Sequence, residues 1–92
     1  MDASLGWSKF FLNWPEQWNR QGVLVTTFGE QIPFDGFMVS EDLLFLQRSS
    51  PDAIGTRQLL LAYHNISALK INNVVKAGAL AEKGFSGTMP KK

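Results

Sequence analysis

Apolar and polar positions change period along this chain, and the change marks a change of element. Between Ser4 and Arg20, Trp7, Phe10 or Phe11, Trp14 and Trp18 recur at spacings of three and four, which is the helical period. Ser4 stands where an N-cap belongs. Pro15 predicts a break, because proline lacks an amide donor and disfavours helix at the residue before it. Pro15-Glu-Gln-Trp18 can then open a second short turn, with Glu16 near its positive end, and Gly22 stops it. From Gly22 the pattern becomes that of short strands: Gly22–Phe28, Ile32–Ser40, Leu43–Arg48, Arg57–Tyr63 and Ile66–Ile71. Gly29-Glu30, Glu41-Asp42, the stretch 49–56 and His64-Asn65 carry the turn chemistry between them.

Gly36 falls inside the second of these strands. A strand glycine packs nothing and marks a sharp bend or a close backbone approach. Strict alternation puts Ile32, Phe34, Gly36 and Met38 on one face, and Pro33, Asp35, Phe37 and Val39 on the other. The third and fourth strands contain unbroken apolar runs, Leu43–Leu46 and Leu59–Ala62, which predicts cover on both sides. A sheet this small cannot cover itself twice. The aromatic helix or a neighbouring subunit must supply the rest, since an open apolar edge templates aggregation. The helix is expected to pack across an open end or face of the sheet, with a subunit contact, a partner surface or a membrane interface as alternatives. These features predict a mainly β fold: an N-terminal helix followed by a five-stranded, strongly bent antiparallel barrel.

Ninety-two residues make one domain, expected over 1–72, with the helix at 4–20, the barrel at 22–71 and a flexible basic tail at 73–92. The tail has room for one helical turn around Ala77–Gly84. The chain has no cysteine, so neither a disulfide nor a thiolate metal site can brace so small a core. Oligomerisation is the remaining source of extra stability. Net charge is +1, unevenly spread. Residues 1–69 carry four basic and seven acidic groups; residues 70–92 carry five lysines against Glu82 alone. The basic end is either a solubilising terminus or an electrostatic contact for nucleic acid. No basic region leads into an apolar run at the start, and no apolar run is long enough to span a bilayer, so a soluble, cytoplasmic protein is expected.

Catalytic chemistry has little to work with. His64 is the one histidine, and no serine sits in a nucleophile-elbow context. Glu41 and Asp42 are adjacent, which on a strand turns them to opposite faces. No glycine-rich run precedes Lys-Ser or Lys-Thr. A binding or assembly protein is expected rather than an enzyme, with no metal and no cofactor.

The order of helix, five strands, bent second strand and short turn before the last strand resembles the Sm/LSm/Hfq family. Gly29, Phe34-Asp35-Gly36, Val39, Asp42 and Leu44-Phe45-Leu46 look like its first motif; Leu61-Ala-Tyr-His-Asn-Ile-Ser67 looks like its second, in the bacterial Hfq flavour. The resemblance covers roughly residues 5–71. It implies a closed ring of about five to seven subunits, in which the fourth strand of one copy pairs with the fifth of the next. Leu59, Leu60, Leu61, Ile66, Leu69 and Ile71 are then the interface candidates. It also implies single-stranded RNA as a partner, with Asp42, Tyr63, His64 and Asn65 as contacts and Lys70 and Lys76 as phosphate partners. The chain departs from the family after Asp42, where Leu43-Leu44-Phe45 replaces an aromatic-Met-Asn run, and the Arg-Gly pair of the second motif is absent. An oligomeric scaffold that binds protein and no RNA is the alternative.

Overall fold

The computed structural model describes residues 3–72 and 75–89. Helix α1 (Ala3–Leu12) is followed by strands β1 (Gly22–Thr26), β2 (Gln31–Val39), β3 (Leu43–Arg48) and β4 (Gln58–Ala62), a 3-10 turn (Tyr63–Asn65), β5 (Ile66–Lys70) and a short helix α2 (Ala77–Ala81). The fold is mainly β, one antiparallel five-stranded sheet of order β4-β3-β2-β1-β5. Asn73, Val74 and Pro90–Lys92 of the expected basic tail lie outside the described residues.

The helix is shorter than the expected 4–20. It ends at Leu12, and Ser4 falls within its bounds. Pro15 forces the break upstream because it cannot accept helical geometry before it. The Trp18 amide then donates to the Pro15 carbonyl at 3.1 Å, the anticipated second turn. Trp14 stays buried and stacks on Phe11, with ring centroids 5.6 Å apart and planes inclined by 25°. Both rings meet Phe37 edge-on, at 5.1 Å from Phe11 and 5.0 Å from Trp14. The Arg20 guanidinium lies 4.0 Å over the Phe37 ring, pinning the segment after the helix to the sheet.

The face assignment of β2 reverses halfway. Ile32 and Phe34 are buried, but so is Phe37, while Met38 is 70% exposed. The cause is a β-bulge. Phe34 pairs with Arg48 and Gly36 with Gln47, so Asp35 is an extra residue. One extra residue inverts every later side chain and bends the strand. The Asp35 carboxylate accepts a hydrogen bond from Gln47 Nε2 at 3.0 Å, which holds the bulge on its solvent side. A second irregularity lies in β5, where Val25 pairs with Ala68 and Thr26 with Ile66.

Curvature follows from connectivity. β4 and β5 stand at opposite ends of the sheet order, yet only Tyr63–Asn65 separates them in sequence. In a flat sheet the outer strands would lie roughly 19 Å apart at about 4.8 Å per spacing. The chain from Ala62 to Ile66 reaches at most about 14 Å even if fully extended. The sheet therefore curls, though β4 and β5 do not pair with each other. Its concave side holds Leu24, Ile32, Phe34, Phe37, Leu44 and Leu46, roofed by Phe11 and Trp14.

Gly22 explains how β1 meets β5. A Cβ there would lie 2.8 Å from the Lys70 carbonyl oxygen. At Gly36 the nearest atom would be 3.8 Å away, so the bend belongs to the Asp35 bulge and not to a steric need for glycine.

Candidate functional surface around the 3-10 turn

The 3-10 turn is the hub that brings sequence-distant residues together. The Tyr63 hydroxyl donates to the Ser40 carbonyl at 2.9 Å, joining it to the β2–β3 turn. Ser40 closes that turn: its amide and hydroxyl donate to the Leu43 carbonyl, and its hydroxyl accepts from the Leu43 amide at 3.0 Å. On the other side, the Thr27 amide donates to the Asn65 carbonyl at 2.8 Å and the Thr27 hydroxyl to Asn65 Oδ1 at 3.3 Å. That ties the turn to the β1–β2 connection. The connection is itself closed by Thr26, whose buried hydroxyl accepts from the Glu30 amide at 3.0 Å, and by Gly29 at φ 87°.

The nucleic-acid candidates do not form one cluster. Asp42 and His64 are exposed, and Asn65 is half-buried; all three belong to this hub. Tyr63 is only 2% exposed, so its ring belongs to the core and is not free to stack on a base. Burial raises its phenol pKa above the ordinary value near 10. Lys70 lies at the far end of β5, roughly 13 Å of strand from Ile66, and donates to Gln31 Oε1 at 3.2 Å. Lys76 precedes α2, beyond the sheet. The two strand connections tied to the 3-10 turn carry exposed acidic residues, Glu30 in one and Glu41 and Asp42 in the other.

Sequence reasoning missed Phe28. It is 65% exposed in the β1–β2 connection, next to the Thr27–Asn65 bonds. The sequence pattern makes it the last residue of the strand Gly22–Phe28, which ends instead at Thr26. The Gly29 turn that follows is the signal that it leaves the sheet.

The interface candidates separate in the same way. Leu61 and Ile66 are core residues at 6% and 4% exposure. Leu59 and Leu69 are half-buried and pack against that core. Ile71 is partly open, and Leu60 on β4 is 64% exposed. Leu60 pairs with Phe45, and Phe45 with Met38, giving an apolar cross-strand row on the convex face. Among the described residues the double cover expected for β3 and β4 is thus only half supplied, because α1 roofs the concave side alone.

Among the described residues no group of three or more His, Cys, Asp or Glu is placed to hold a metal ion, and no helix is long and apolar enough to cross a membrane. The fold and hub define a small curled β protein with an aromatic helical roof. Comparison with family models, curated proteins and solved structures returned no match.

Proposed function

We propose that this chain is an Sm-like, self-assembling β module whose curled sheet completes its cover by joining β4 of one copy to β5 of the next. What carries the reading is the sheet order, which leaves β4 and β5 as the two edges, with no strand of the described residues paired on their outer sides. The exposed Leu60, with Phe45 and Met38 behind it, is what such a neighbour would bury. Two different edges meeting head to tail form a ring when the rotation between copies closes, here of roughly five to seven copies as in the family resembled. The role that best suits this arrangement is an oligomeric scaffold.

A second reading, single-stranded RNA binding at the rim of that ring, is favoured by one observation. Phe28, His64 and Asn65 place an exposed aromatic ring, an imidazole and an amide around one hub. That set suits base stacking and edge recognition. The acidic residues Glu30, Glu41 and Asp42 of the two connections weigh against strong phosphate binding there.

Light scattering on the purified chain tests assembly. A single species of several copies is expected, with Leu60→Asp shifting it to smaller species while circular dichroism is retained. A wild-type monomer at all concentrations refutes the reading. Titration with U-rich and A-rich oligonucleotides at low and high salt tests the RNA reading, with Phe28→Ala and His64→Ala as controls. Binding lost in both variants supports it, and no binding at low salt leaves the scaffold.

A further inference from the structure

A groove of about 810 Å³ is lined by α1, the end of β5 and the α2 region, and contains no residue of the 3-10 turn or of β4. Its apolar lining is Trp7 and Phe10 of α1, Trp18 of the turn after it, Leu69 of β5, Leu80 of α2 and Phe85 beyond α2. The first four are half-buried: each packs against the core on one side and faces the groove on the other. Phe85 is 55% exposed, a large apolar surface held over open space. The groove's charged residues are Lys9, Lys83 and Glu82, a net positive rim on an apolar trough.

We propose that this groove binds an amphipathic carboxylate, with a long apolar body lying along the aromatic lining and the anionic end at Lys9 and Lys83. Three observations converge on that class. The volume lies in the range of small-molecule sites, about 300–1,000 Å³, in a groove open along one side, so a bound ligand keeps one face toward solvent. The lining is apolar and aromatic, with polar groups confined to few positions, which suits a hydrocarbon body. The cations come from two different elements, α1 and the segment after α2, so one anionic group between them draws the two together. Glu82, which lies in the same groove, disfavours a second acidic group and so favours a single carboxylate.

The same geometry gives α2 a role. Five residues are too few for a helix to sustain itself in water, so α2 depends on what it packs against. A ligand in the groove supplies that support, and its binding protects the α2 amides from hydrogen exchange.

The test uses dodecanoate below its micellar concentration, titrated into the full chain and followed by calorimetry and tryptophan emission. One saturable site per chain is expected, with slowed exchange at Ala79–Ala81. Dodecanol and dodecyltrimethylammonium bind more weakly. The double substitution Lys9→Gln and Lys83→Gln weakens dodecanoate about tenfold, the loss expected for a charge-assisted contact. Both lysines are exposed, so the fold should persist, and an unchanged circular dichroism spectrum checks this. Phe85→Ser gives an independent loss from the segment beyond α2. Non-saturating binding, equal affinity for the cationic amphiphile, or affinity unchanged in these variants overturns the proposal.

Discussion

Substituting two strand glycines by alanine separates the bend from the close approach. Gly22→Ala places a Cβ 2.8 Å from the Lys70 carbonyl oxygen, with Leu69 Cδ1 and Phe34 Cζ each at 3.4 Å. The nearest atom is backbone and belongs to the paired strand β5, so β1 and β5 must move apart by a few tenths of an ångström. Overpacking of this kind costs about 1–3 kcal/mol. Alanine also restricts the unfolded chain, which offsets about 0.4–1 kcal/mol. The net expectation is a loss of about 1–2 kcal/mol, or roughly 4–16 °C in Tm for a domain of this size. At Gly36 a Cβ meets nothing closer than 3.8 Å, and the backbone is not left-handed. Gly36→Ala should therefore be neutral or stabilise by up to about 1 kcal/mol. Urea unfolding followed by tryptophan fluorescence, with all variants at one protein concentration, measures both. If Gly36→Ala lost more stability than Gly22→Ala, placing the bend in the Asp35 bulge would be wrong. A Gly22→Ala variant as stable as wild type would show that β5 is not held against β1 as described.

Phe11 is fully buried between Trp14 and Phe37, so Phe11→Ala should cost about 3–5 kcal/mol, enough to abolish near-ultraviolet dichroism in so small a domain; a variant with native near-ultraviolet signal counts against the aromatic roof. Tyr63 is the only tyrosine, so phenolate absorbance reports it alone. Its pKa is raised in the fold, so stability is complete below the unfolded value near 10 and declines as pH rises through the folded value. The phenol should titrate higher in the native chain than in concentrated urea, and Tyr63→Phe should remove that part of the alkaline loss while costing about 0.5–1.5 kcal/mol at neutral pH. Identical native and denatured titrations would contradict the buried placement. Asp52 shifts the other way: hydrogen bonds from the Thr56 and Ile54 amides, at 2.9 and 3.0 Å, lower its pKa, with Thr56 the larger cause. Its contribution is present above the ordinary aspartate value and lost as pH falls through the folded one; Asp52→Ala should flatten the acid limb of stability, and an unchanged limb would refute the role.

Local pattern determined most of the elements. The β-branched and apolar runs place all five strands within a residue or two of where they stand, and the helical spacing of the aromatics locates the helix but not its end, since α1 stops at Leu12 and Trp14 and Trp18 lie beyond it. Gly29-Glu30, Glu41-Asp42 and the polar stretch at 49–56 mark their turns because those residue types satisfy turn geometry by themselves. The loop before β4 is an example: Asp52 Oδ1 accepts the Ile54 and Thr56 amides, and Gly55 takes φ 88°. Such contacts lie within a few residues and need nothing from the rest of the chain.

What the tertiary structure decided are the features that depend on pairing across strands. The extra residue at Asp35 is visible only against Arg48 and Gln47, and it exchanged Met38 for Phe37 in the core. Gly22 reads as a helix stop until Lys70 is seen beside it. Tyr63 reads as a partner contact until its hydroxyl is found on Ser40, twenty-three residues away. The convex row of exposed Met38 and Leu60 with half-buried Phe45 between them exists because three strands align in register, and the groove gathers residues of α1, β5 and α2 that are far apart in the chain. Composition and spacing set which elements form. Register and curvature, fixed by hydrogen bonds between residues far apart in the chain, set which side chains are left for other molecules to touch.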